Sequence, residues 1–311
     1  MTIFSNSNIQ QLSNLCHDCR ECFTVCPFTE PHEFNLNIPK LLTEVRYKSY
    51  EDNIEPEFMK KLFNKQNTLW GITLATTLIF SIAIAFINLG YNMFKPITLS
   101  NMGRIIPNFE FKLFSFLLYA YVIIMWSYEG YSYFHGISVD NNKTARSGIL
   151  KAIYDALSHK YFKGGGAGCT YPDDGSSLYR LLFHPMVFFG FIIDLITILF
   201  YSDFNIILIA IYIAGAVLMF VGSTTLLVGK YMSRNNKSGM KPDMFGYNFT
   251  VALLITGLTG ILFLFLSGTL LFPIIFALHI AFISCILLLA PYSKFLHPVF
   301  RFLSLVKYES K

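Results

Sequence analysis

Residues 15–28 read LCHDCRECFTVCPF, with cysteines at 16, 19, 22 and 26 and a proline directly after the last. This stretch divides the chain. Around it the sequence is polar, and from about residue 69 onward long apolar runs take over. Of 311 residues, 54% are hydrophobic and only 14% charged, against about 25% charged in a typical soluble domain. Four cysteines packed into eleven residues do not suit a disulfide framework. Close spacing in a reducing compartment reads as metal binding.

Residues 1–14 lack the basic start and apolar core of a signal peptide, so residues 1–68 are expected to form a polar domain on the side of synthesis. Spanning a bilayer takes roughly 20 apolar residues in a helix. Six segments qualify, at about 69–90, 112–134, 181–201, 204–229, 247–267 and 269–291, the last two joined by LSGTLLFP in a tight hairpin. With both termini and the loops after the second and fourth spans cytoplasmic, those regions hold 21 of the 24 Lys and Arg residues. The other side holds Lys95, Arg104 and Lys112. The positive-inside rule favours that arrangement, and the net charge of +5 needs no nucleic acid to explain it. The expected fold is mainly α: a six-helix transmembrane bundle over 69–311, with a cytoplasmic loop at 136–180 and a small N-terminal domain. Within that domain IPKLLTEVRYKSY reads as a helix with Leu41, Leu42 and Val45 on one stripe. ARSGILKAIYDALSHKYF reads as a further helix in the loop.

Three cysteines two residues apart can wrap the backbone around a cube-shaped cluster, each thiolate reaching a separate iron, and the run ending in Cys-Pro is one half of the two-cluster ferredoxin arrangement. Structural zinc usually takes two pairs separated by a longer loop. A [4Fe-4S] cluster on Cys16, Cys19, Cys22 and Cys26 is therefore the expected metal site. In paired runs, however, the fourth cysteine serves the other cluster, which leaves Cys169 as a second candidate for the fourth iron. Cys285 lies inside the sixth span and reads as a small core residue.

His279 and His297 are eighteen residues apart, five turns of a helix with 3.6 residues each. If the sixth span continues that far, both rings share a face. A bis-histidine b-type haem at the cytoplasmic end would pair His297 with His184, or with His135. His279 finds no partner at its depth. The plain alternative is that interface histidines snorkel. His17, His32 and His159 read as exposed or capping residues. Glu129 and Asp194 are intramembrane acids, of which Glu129 could reach water. The segment GGGAGCTYPDD lacks the Lys-Ser/Thr of a phosphate loop. No acid–base pair or nucleophile stands at convincing spacing, so no catalytic residue is assigned.

Taken together, LCHDCRECFTVCPFTEPHEFNLNIPKLLTEVR, GGGAGCTYPDDGSSLYRLLFHP and LHIAFISCILLLAPYSKFLHPVFRF resemble the tricarballylate/citrate-utilisation membrane proteins called TcuB or CitB. The last segment is also loosely similar to the haem helix of nitrate reductase gamma subunits. The TcuB/CitB resemblance covers nearly the whole chain. It implies a bacterial inner-membrane protein that takes electrons from a soluble FAD-dependent tricarballylate dehydrogenase and passes them to quinone, with Cys16, Cys19, Cys22 and Cys26 matching the family's second cysteine run. The sequence departs from that pattern, because only fifteen residues precede Cys16 where family members carry another run. A late start, a single-cluster version or a decaying gene is expected. Rival readings are a redox anchor for another dehydrogenase and a tricarboxylate carrier. The carrier is disfavoured because no basic residue lies mid-span.

Overall fold

A computed structural model of the chain describes residues 5–137, 146–164, 168–172, 175–200, 205–233 and 244–310. Lys143, Arg234, Lys237, Lys241 and Lys311, used above for topology, and part of the glycine-rich segment lie outside these. Among the described residues the regular structure is helical. The N-terminal domain holds α1 (Asn6–Leu15), α2 (Glu21–Thr24), α3 (Ile38–Asn53) and α4 (Glu57–Phe63). Asn37 caps α3 by accepting from Lys40 N at 3.0 Å, and Pro39 occupies its first turn, where a missing N–H costs nothing. The expected stripe is not the buried face, since Leu41 is 54% exposed. The helix instead turns Thr43, Ser49 and Tyr50 inward. Ser49 Oγ accepts from Asn14 Nδ2 of α1 at 2.9 Å, and the Tyr50 ring packs on Phe300. Contacts with two neighbouring helices outweigh the local apolar pattern.

The apolar segments form α5 (Gln66–Leu89), α6 (Asn108–Ile137), α8 (Tyr179–Ile198), α9 (Ile206–Met232), α10 (Met244–Phe265) and α11 (Phe272–Leu288), while α7 (Arg146–Leu157) lies in the loop before α8. Five of these helices are long and apolar enough to cross a membrane; α11 is shorter, at 17 residues. At 1.5 Å per residue it runs about 26 Å. It is buried almost all round, between α10 on one side and α5 on the other, so it meets protein rather than lipid. Outward positions such as Ile79, Ile87, Ile123 and Ile206 are 63–78% exposed, as lipid-facing surface requires. The chain is a multi-pass membrane protein.

The sixth apolar helix does not reach His297. Pro291 and the Ser293 side chain, which accepts from Phe295 N, set up two 3-10 turns (Ala290–Tyr292 and Lys294–Leu296), after which α12 (His297–Glu309) starts afresh. His279 and His297 are therefore on different helices. The far end of the bundle is closed by Gly268 N donating to Ile97 O at 2.9 Å and Leu99 N to Ser267 Oγ at 2.9 Å. At the near end α12 packs on α1, α6 and α7, which brings the N-terminal domain, the loop before α8 and the C-terminal helix together.

Two intramembrane acids are more deeply placed than their sequence positions suggest. Glu129 and Asp194 are 0% exposed, and none of their carboxyl oxygens has a hydrogen-bond partner among the described residues. Glu129 does not reach water.

The α8–α9 contact rests on small residues. A Cβ added at Gly190 would stand 2.7 Å from Gly215 O and Met219 N, and one at Gly215 2.6 Å from Ile193 Cγ2. Such close backbone approach drives helix association in lipid, where apolar burial does not. Gly190→Leu should overpack this seam by about 1–3 kcal/mol and lower the apparent Tm of the detergent-solubilised protein. Gly71→Leu, with nothing within 4 Å, should leave it unchanged. Equal Tm values for the two variants would contradict this packing.

Candidate metal centre at the membrane end

The cysteine loop connects α1 to α2, and its backbone is unusual. Asp18 and Arg20 have φ of +53° and +65°, a region that side chains other than glycine occupy at a cost of roughly 1–2 kcal/mol. Partners hold them there. Arg180, at the start of α8, donates to the Asp18 carboxylate at 2.9 Å, to Asp18 O at 2.7 Å and to His17 O. The positive φ at Asp18 also turns its own amide onto Cys16 Sγ at 3.3 Å. Backbone donors to sulfur are what a cluster loop provides.

Arginines surround the loop. Arg46 of α3 donates to Ser13 O at 2.8 Å and to Cys16 O at 2.7 Å. Arg301 of α12 donates to the same Cys16 O at 2.6 Å. Arg20 is 3% exposed, lies 3.8 Å from the Asp18 carboxylate and has its guanidinium 4.8 Å from the Tyr171 ring centre. Two of these guanidiniums, Arg20 and Arg180, meet the Asp18 carboxylate, and Arg46 and Arg301 meet the Cys16 carbonyl. Burial, then the charge of Arg46, depresses Arg301 to about 10. Buried cations of like sign need an anion.

The thiols stand in the opposite condition. Burial pushes Cys22 up to about 11, and Cys16 and Cys19 add to the rise; Cys19 is raised by burial and then by Cys169 and Cys16, against a lowering hydrogen bond from the Glu21 backbone. The thiolates repel one another unless cations sit between them, and metal coordination deprotonates a thiol outright. No group of three His, Cys, Asp or Glu among the described residues converges tightly enough for one metal ion. The thiols, their amide donors and the excess positive charge fit an iron–sulfur cluster.

The predicted histidines are distributed unequally. His184 and His297 stand together, ring centres 6.1 Å apart at 80°. His297 Nδ1 pairs with Lys294 O at 2.7 Å, and His184 Nδ1 is buried without a partner among the described residues. His135 is exposed beside Tyr131. His279 has both ring nitrogens engaged, by Tyr212 at 2.9 Å and Thr259 at 3.1 Å. His32 is exposed and accepts from Phe34 N. The expectation that His17 and His159 are exposed is corrected. His159 is 6% exposed and lies 5.4 Å from the His184 ring, while His17 packs on Phe162 at 4.7 Å. Phe162 in turn lies 4.7 Å from His184, so a continuous row of rings joins the cysteine loop to α8.

Arg46, Arg180 and Arg301 entered the sequence reading only as topology charges. Nothing in their spacing relative to the cysteines marks them, because they come from three distant helices.

Residues 1–52 match the family model of the citrate utilization protein B Fer4-like domain. Over 337 aligned residues, 98% of this chain and 83% of the relative, the protein is 29% identical to Citrate utilization protein B of Escherichia coli. No solved structure matches the chain. The chain is thus similar to a Fer4-like domain at its N-terminus and, through the bundle, to citrate utilization protein B over nearly its whole length.

Proposed function

We propose that the protein carries electrons from the reduced flavin of a partner dehydrogenase, through a [4Fe-4S] cluster on the cysteine loop, to quinone in the membrane. The observation that carries this reading is a cysteine loop ringed by four arginines and seated on the end of the helical bundle. Cys16, Cys19 and Cys22 would hold the cluster, which when bound would supply one-electron transfer between a two-electron donor and a two-electron acceptor. The balance is one dihydroflavin and one quinone giving oxidised flavin and quinol, two electrons and two protons moving. The chain's own residues bind and orient: Arg46 and Arg301 fix the loop through Cys16 O and, with Arg20 and Arg180, offset the negative charge of thiolate-bound iron.

The relative's name, citrate utilization, supports a tricarboxylate such as tricarballylate as the substrate of the partner, an FAD-dependent dehydrogenase. The excess of Lys and Arg at the cysteine end supports a cytoplasmic orientation of both termini in a bacterial inner membrane. A carrier would need substrate charges at mid-membrane; Glu129 and Asp194, buried there without hydrogen-bond partners among the described residues, offer a tricarboxylate no cation.

The His184–His297 pair supports a b-type haem as an additional carrier. Lys294 O holds His297 by its Nδ1, the kind of backbone hydrogen bond that orients a ligating imidazole, so its other nitrogen is the one to face iron. His184 would supply the second axial nitrogen.

Dithionite-reduced protein in detergent should give a cluster EPR signal that decylubiquinone abolishes, with one quinol formed per two electrons. Stoichiometric zinc without acid-labile sulfide, or a signal indifferent to quinone, refutes the proposal. Arg301→Gln should move the cluster's midpoint potential negative, because the positive charge favours the reduced form. A loss of about 1 kcal/mol corresponds to on the order of 40 mV for one electron, read by redox titration. For the haem, reduced-minus-oxidised spectra should show an α band in wild type and His135→Ala that is lost in His184→Ala and His297→Ala. A wild type without that band removes the haem and leaves the cluster standing.

A further inference from the structure

We infer that Cys169 is the fourth cluster ligand: Cys16, Cys19 and Cys22 of the N-terminal loop and Cys169 of the loop before α8 form one site, and Cys26 lies outside it. The inference rests on the iron–sulfur reading above and names the ligand set it leaves open.

The two loops, about 150 residues apart in sequence, are joined backbone to backbone. Thr170 N donates to Cys19 O at 2.9 Å, and Thr170 Oγ1 also reaches that carbonyl, at 3.2 Å. On its other side Thr170 Oγ1 pairs with Thr24 Oγ1 of α2 at 3.1 Å. The residue adjoining Cys169 is thus fastened to the residue carrying the second thiolate and to the short helix after the third. Cys169 is 2% exposed and makes no disulfide.

The loop is built around this cysteine. Gly164 and Gly168 have φ of +75° and +84°, and a Cβ at Gly164 would stand 2.5 Å from Cys169 N. Only glycine allows the chain to fold back this closely. Ser177 N donates to Cys169 O at 2.8 Å, closing the loop from the other side. Two residues on, the buried Tyr171 ring is clamped by Arg180 at 3.8 Å and Arg20 at 4.8 Å. Arg180 is the same side chain that holds His17 and Asp18. A plain structural cysteine would need none of this: the clamp, the glycines and the Thr170 tie all fix Cys169 against the CxxCxxC loop.

Cys26 is placed otherwise. It follows α2 in a turn where its carbonyl accepts from Thr29 N and Thr29 Oγ1. The neighbouring Val25 and Phe28 are 60% and 45% exposed, and Phe28 packs on His32 and Phe34. In paired ferredoxin runs the fourth cysteine serves the other cluster, so its separation from the local set follows the general chemistry of the motif.

The test is iron and acid-labile sulfide content, with EPR, of the full-length protein and its Cys16→Ser, Cys26→Ser and Cys169→Ser variants, each purified anaerobically and checked for helicity by circular dichroism. The expected result is four irons per chain in wild type and Cys26→Ser. In Cys169→Ser the reduced four-iron signal should be lost, either to a three-iron signal in the oxidised protein or with all iron, as in Cys16→Ser. A four-iron signal kept by Cys169→Ser and lost by Cys26→Ser overturns the inference and leaves the iron–sulfur reading intact. A wild type without labile sulfide overturns both. As a check independent of folding of the variants, iodoacetamide should alkylate Cys26 in the wild-type holoprotein without bleaching the cluster, whereas bleaching in step with Cys26 modification would count against it.

Discussion

Arg46 and Arg301 both donate to one acceptor, the carbonyl oxygen of Cys16. One comes from α3 and the other from α12, so this single oxygen ties the N-terminal domain to the C-terminal helix across the cysteine loop. Two guanidiniums brought together in a part-buried space repel each other, and the carbonyl dipole compensates only partly. An iron–sulfur cluster held by the thiolates beside that carbonyl, as proposed, would supply negative charge there. The loop geometry follows from the same centre: Arg180 holds Asp18 in a left-handed conformation, and that conformation turns an amide onto the Cys16 sulfur.

The bundle serves this centre by bringing three separate segments to one end. α11 is enclosed by protein, α8 and α9 close on each other through glycines, and the break at Pro291 frees α12 to lie against α1 and α7. Without that break His297 would continue the axis of α11 instead of facing His184. The row from His17 through Phe162 to His184 and His297 then links the polar domain to the membrane helices by contact between rings rather than by flexible chain.

Much of this organisation was legible beforehand. The apolar runs located all six helices, because hydropathy and length depend on local sequence alone. The loop helix appears as α7, and the cysteine run lies within a domain whose family model is Fer4-like. What escaped was of another kind. The stripe Leu41, Leu42 and Val45 was a sound amphipathic reading, yet α3 buries its polar side on α1. His159 looked like a surface residue because its neighbours are polar, and it lies under the ring of His184.

The spacing of Cys16, Cys19 and Cys22 by itself determined that a loop with metal-ligand spacing precedes a membrane bundle, since a short loop constrains its own thiols whatever surrounds it. Only the tertiary structure decided which charges and which further cysteine join that loop. Arg46, Arg180, Arg301 and Cys169 are brought there by helix packing and by the fold-back of a glycine-rich segment. Contacts over 30 to nearly 300 residues leave no periodic trace in the chain, because each depends on where whole helices end rather than on the residues next door.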